Sequence, residues 1–244
     1  MKIKGLLIGL MVCIGLAPLN ASPSLKGPTG LMMMPTAEII PFQKLEMAAD
    51  SDLSKEKLEA RQLRYPNRDY EELFSRSSYK INMGAFKNFE LGVVGGTQPD
   101  EGMFLNAKYL LMLDTRDPYP LSLSVGTLDV GSKEHASAYV VLSKPFEKES
   151  FSMIGLTGRM NMHLGLKGML HDKFESGLMV GLEYYPVDWL KVMTEFVEER
   201  HHSYFNAGIE WTLFEYVGLR FSALDISDNR FSRFNAGVSF NFFM

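Results

Sequence analysis

From residue 78 onward, apolar and polar residues alternate one by one along most of the chain. In Tyr79-Lys80-Ile81-Asn82-Met83-Gly84-Ala85 the odd positions are apolar and the even ones polar or small. A period of two puts alternate side chains on opposite faces of a strand, and helical spacing does not produce it. Phe89–Val93, Leu121–Gly126, Met160–Lys167 and Phe234–Phe242 repeat the pattern. The runs predict about twelve strands, at 42–50, 78–86, 89–96, 102–112, 120–128, 136–144, 157–167, 175–185, 189–197, 203–213, 217–225 and 231–243. Most match the roughly 9 to 11 residues that a tilted strand needs to cross a bilayer, and exceed the mode of about five or six in soluble sheets. The expected fold is all-β: a closed antiparallel transmembrane β-barrel of about 12 strands. Closure satisfies the backbone, because each unpaired N–H or C=O in hydrocarbon costs several kcal/mol.

Alternation alone does not say which face meets water. In a soluble sandwich the apolar face turns inward. In an outer-membrane barrel lipid takes that face, and the lumen takes Lys80, Glu90, Lys108, Arg159, His163, Lys167, Glu183, Lys191, Glu195, Glu210 and Arg220. Three features favour the membrane arrangement. Tyr184, Tyr185, Trp189, Trp211 and Tyr216 gather near strand ends, where an aromatic belt meets lipid headgroups. Short connections (Lys87-Asn88, Pro186-Val187-Asp188, Phe214-Glu215-Tyr216) alternate with mostly longer polar ones at 97–101, 168–174, 198–202 and 226–230, so strand counting puts the tight turns at the periplasmic end. The C-terminal Phe240-Asn241-Phe242-Phe243-Met244 resembles the signal read by the barrel-assembly machinery, with Met244 departing from the usual terminal aromatic residue.

The N-terminus carries an export signal: Lys2 and Lys4, an apolar stretch over Leu6–Leu16, and a small residue for cleavage at Ala21. The single cysteine, Cys13, falls inside it. Cleavage leaves 23 of the 25 basic residues against 29 acidic ones and no thiol, so a disulfide framework is excluded and stability must come from a core or from complete backbone pairing. With 46% hydrophobic and 12% aromatic residues, the chain is too apolar for disorder. Its net charge of −4 and lack of a strong basic run exclude a basic nucleic-acid binder. Past the N-terminus no apolar run approaches the ~20 residues of a spanning helix. The expected organisation is a signal peptide at 1–21, a lead-in or plug at 22–41 and a barrel at 42–244, located in the outer membrane of a Gram-negative-type bacterium.

Two segments break the alternation. Residues 51–77 are charged and read as a solvated external loop with a helical turn near Lys55–Leu63. Residues 22–41 hold four of the 11 prolines, which cannot donate to a ladder. Gly27-Pro28-Thr29-Gly30 lacks the Lys-Ser/Thr of a phosphate loop, so a nucleotide role is not expected. Gly27-Pro28-Thr29-Gly30-Leu31 followed by Met34-Pro35-Thr36-Ala37-Glu38 resembles the N-terminal signature of YjbH-like proteins, an outer-membrane barrel family linked to exopolysaccharide production. The Tyr185–Leu190 turn is similar too. The resemblance implies a role in exopolysaccharide production or export, or in envelope organisation, with polysaccharide or its export proteins as partners. Full-length members are much longer than this chain.

For chemistry the sequence offers five histidines: His135, His163, His171, His201 and His202. Only His163 points into the expected lumen, sharing its face with Arg159, Asn161, Gly165 and Lys167. A hydrolase there needs a serine within hydrogen-bond reach of the imidazole and a third group to orient it. Glu198-Glu199-Arg200-His201-His202 is a poor metal site, since adjacent side chains on an extended segment point apart. No cofactor, metal or enzymatic activity is expected. The chosen lumen charges, six positive and four negative, suggest internal ion pairs that fill or narrow the passage, with residues 22–41 as a candidate plug. The alternatives are a narrow porin-like channel for small solutes and an outer-membrane hydrolase using His163.

Overall fold

The computed structural model describes residues 22–53, 77–96, 102–114, 120–132, 135–146, 158–169, 175–199, 202–213, 216–227 and 233–243. Twelve strands form: β1 (Lys44–Asp52), β2 (Ser77–Phe86), β3 (Phe89–Gly96), β4 (Gly102–Asp114), β5 (Leu121–Val130), β6 (Ser137–Phe146), β7 (Arg159–Met169), β8 (Glu175–Val187), β9 (Leu190–Glu199), β10 (His202–Leu213), β11 (Val217–Leu224) and β12 (Arg233–Phe243). Each pairs antiparallel with its sequence neighbours, and β1 closes on β12 from Lys44 opposite Phe243 to Asp52 opposite Asn235. The expected signal peptide, the Lys55–Leu63 turn, His171 and His201 lie outside the described residues.

Exposure settles which face meets water. Along β7, Met162, Leu164 and Leu166 point outward while Asn161, His163 and Lys167 are buried. On β2, Tyr79, Ile81 and Met83 face out and Ser78, Lys80 and Asn82 face in. Lys80 and Lys108 are 1% exposed, whereas Leu164 is 52% and Leu166 56% exposed. A chain that shelters lysines inside and presents leucines outside is arranged for hydrocarbon, so this is a transmembrane barrel of the outer-membrane kind.

Aromatic rings gather at one end. Trp189 and Trp211 lie 5.8 Å apart, and Phe89 sits 6.2 Å from Phe86 and 6.4 Å from Tyr109. Tyr185 departs from the expected belt: it faces the lumen at 5% exposure, donates to Glu183 Oε2 at 3.0 Å and stacks on Arg159. Adjacent strand residues face opposite sides, so of Tyr184 and Tyr185 only one can reach lipid.

The connections also differ from expectation. The Lys87–Asn88 turn is tight, with Asn88 at φ 64°, a left-handed conformation that Asn tolerates. However, Glu199 pairs directly with His202, so the β9–β10 link is equally short and lies at the opposite end of the barrel. The β6–β7 link spans 147–158 at the same end as Lys87–Asn88. Strand direction fixes which end a connection occupies, while nothing in barrel closure fixes its length.

Candidate functional site: a lumen occupied by the N-terminal segment

Residues 22–41 lie inside the barrel. Leu31, Met32, Met34 and Ala37 have no exposed surface and pack in one cluster with Leu128, Tyr139, Val141, Met179, Met193, Val197 and Leu224. The segment folds on itself through backbone hydrogen bonds that include Leu25 N–H to Met32 O, Leu31 N–H to Met34 O at 2.9 Å and Thr36 N–H to Thr29 O at 3.1 Å. Gly27, at φ 112°, makes a bend that other residues rarely adopt.

Many of its other polar backbone groups are met by the wall. Side chains from β2 to β7 and from β9 to β11 hydrogen-bond to it. Glu195 on β9 accepts the N–H groups of Met32, Met33 and Met34 at 3.2, 2.7 and 3.0 Å, together with Asn206 Nδ2 at 2.7 Å. Three consecutive amides aimed at one carboxylate form a small anion nest, supplied here by the segment's own turn. On β3, Glu90 accepts from Thr29 N–H at 2.9 Å, Thr29 Oγ1 at 2.6 Å and Ile40 N–H at 3.1 Å, with Lys108 Nζ 3.4 Å away. Lys108 donates to Thr29 O at 3.0 Å. Asn82 donates to Gly27 O, Asn106 to Lys26 O at 3.1 Å, Ser124 to Ala37 O at 2.7 Å and Arg220 to Pro23 O, while Ser22 donates to Glu210. Hydrogen bonds to charged groups contribute about 1.5–3 kcal/mol each, against about 1 for neutral ones, so Glu195 and Glu90 are the main holding points.

The wall also makes room. A Cβ on Gly181 would overlap Leu31 Cδ1, and one on Gly208 would sit 3.0 Å from Met32 Sδ. The missing side chains at these inward positions leave the recess that Leu31 and Met32 fill.

Every sequence-selected lumen residue lies inside. Glu183 is 3.6 Å from Lys191 and from His163, and Glu210 is 3.5 Å from Lys191 and 2.8 Å from Arg220. Lys167 is buried, and half-buried Arg159 sits 4.3 Å from the Tyr185 ring. The motif residues Gly27, Pro28, Thr29, Gly30, Leu31, Pro35, Thr36 and Ala37 are all buried within the segment. Sequence reasoning passed over Glu46 and Asp50 on β1, where Asp50 pairs with Lys80, and over Ser143 on β6. The parity of Glu46, Ala48 and Asp50 was the available signal. Ser143 and His163 come together only through the β6–β7 register.

Ser143 Oγ lies 2.7 Å from His163 Nδ1, which supplies the serine a hydrolase would need. It also accepts the Ala37 N–H at 2.8 Å, and Glu183 is 3.6 Å from His163 Nε2, beyond hydrogen-bond distance. The same hydroxyl thus also holds the segment, and Glu183 faces the far ring nitrogen without closing a hydrogen bond to it. Among the described residues no group of three His, Cys, Asp or Glu converges as metal ligands. Glu38, carried into the barrel by the segment, has its carboxyl raised above the usual carboxylate range by loss of water and secondarily by Glu183.

No family model matches the sequence, and no curated protein matches it. Solved structures do. The chain is similar to the KdgM porin, with TM-score 0.50 and 9% identity over 82% of this chain and 99% of that one. It is similar to the Acinetobacter baumannii outer membrane protein Omp33, with TM-score 0.49 and 8% identity over 82% and 98% of the two chains. The low-pH structure of Pseudomonas putida OprB gives TM-score 0.37 and 11% identity over 81% and 62%. At such identities the likeness to the KdgM porin is one of fold: a closed antiparallel barrel that spans the outer membrane.

Proposed function

We propose that this chain is a non-catalytic outer-membrane channel for small solutes whose bore is held shut by residues 22–41. The observation that carries this reading is the seating of the segment across the lumen, where polar side chains of the wall hold it at Glu195 and Glu90. A purely structural filler would be expected to be apolar and continuous with the wall. This segment is joined to the wall covalently only at its Pro41 end, and its other wall contacts are reversible hydrogen bonds and packing. The KdgM porin shares the barrel and is described as a porin, which supports the same class of activity here.

The exopolysaccharide role implied by the Gly27–Ala37 motif is a second reading. Its residues hold the segment in the lumen, so the motif serves a gate whether the solute is small or a polymer. Insertion through the assembly machinery, guided by β12, is part of the same proposal.

Planar-bilayer recording tests it. The intact chain is expected to give little steady current, and Leu31→Asp, which places a charge in the apolar recess without altering the wall, is expected to conduct. Gly181→Leu, which fills the recess from the wall side, should do the same. Folded, inserted variants that stay silent, or an intact chain that conducts as well as they do, would overturn the reading.

A further inference from the structure

Four of the wall's cations have carboxylate partners in the wall, while Arg159 stacks on the Tyr185 ring instead. Lys80 pairs with Asp50, Lys108 with Glu90, and Arg220 and Lys191 with Glu210. Two buried wall carboxylates have no such partner among the described residues. Glu195 is answered only by the segment's three amides and Asn206. Glu46, 2% exposed on the inner face of β1, has both carboxylate oxygens buried without a hydrogen-bond partner.

The segment therefore presents N–H donors to a carboxylate that an ammonium group, with N–H donors and a full positive charge, would also satisfy. When it leaves, those donors leave with it, and among the described residues two carboxylates without an ion pair face the bore against one such cation, Arg159. Resting on the channel reading, we infer that the lumen is a pathway for cations, with Glu195, oriented by the Asn206 side-chain N–H, forming a station for the ammonium group of a small amine. Rings and patches of carboxylate select cations in pores by the same electrostatics. A multivalent metal is a poorer occupant, because no three carboxylates or imidazoles converge among the described residues.

The full chain carrying Leu31→Asp, and separately Gly181→Leu, is recorded in bilayers under a potassium chloride gradient. Both are expected to pass potassium severalfold better than chloride. Adding butylammonium should reduce the current, and Glu195→Gln in either background should weaken both the selectivity and the block, with Glu46→Gln weakening the selectivity alone. Equal permeability, or preference for chloride, overturns the inference while leaving the channel reading intact. Butylammonium binding to the detergent-solubilised variants, followed by calorimetry, separates the two in the other direction. Glu195-dependent binding without current sinks the channel and keeps the station, and absence of such binding sinks the station.

Discussion

Asp50 and Glu195 are both buried carboxylates on the inner face of the same barrel, yet different parts of the chain answer them. Asp50 is matched by Lys80 on the neighbouring strand, so its partner is fixed by the β1–β2 register. Glu195 is matched by the backbone of a segment far away in sequence and attached to the wall only at its end. The first sector belongs to the wall and is permanent. The second joins the wall to the segment, and in the proposed channel it is the contact that opens, because loss of that set of bonds leaves the ladders of all twelve strands in place.

The comparison breaks most sharply at Lys80. Lys80→Met leaves Asp50 buried without its cation and should destabilise the barrel by about 3–5 kcal/mol, read from urea unfolding in lipid vesicles, with Asp50→Leu restoring most of the loss. If the wall tolerates Lys80→Met, the sector is not structural. At Glu195 the effect should be smaller and local. Glu195→Ala should weaken the segment's seating by about 1–3 kcal/mol, seen as faster amide exchange at Met32, Met33 and Met34 with unchanged exchange in β1 and β2. Equal acceleration in both places would remove the distinction between wall and gate. Ser143→Ala takes away the acceptor for Ala37 N–H and should cost about 1 kcal/mol of seating by the same measurement.

The strands were legible in sequence because the membrane demands strict alternation: a charged side chain on the wrong face of β7 would meet hydrocarbon. Observed strand ends differ from the expected ones by a few residues, as at Lys44–Asp52 against 42–50. The inward placement of Lys108 or Glu183 followed from parity alone. The partners did not. That Ser143 lies beside His163, or that Glu195 holds the Leu31–Met34 turn, depends on register and on the path of a segment without periodicity. Proline and glycine in 22–41 excluded a central strand and left the stretch as a lead-in or plug, while its path among the wall side chains has no periodic signature in the sequence.

The smallest expected effect is one of pH. Glu38 has its carboxyl raised in the seated state, so the seated segment favours the protonated form. Its contribution to seating is fully present below the ordinary carboxylate range and is lost as pH rises through the raised value. Amide-exchange protection factors in the segment, which divide out the base-catalysed intrinsic rate, should therefore fall modestly from acid toward neutral pH, and Glu38→Gln should flatten the trend. A trend of opposite sign would mean that Glu38 is held ionised.

The most direct test of the account is the accessibility of the segment itself. Thr36 is 1% exposed within the lumen. In the full chain with Cys13→Ser and Thr36→Cys, reconstituted in vesicles, a water-soluble maleimide should label the thiol slowly, and adding Leu31→Asp should make labelling fast. Rapid labelling without Leu31→Asp would place the segment outside the bore and contradict the gate.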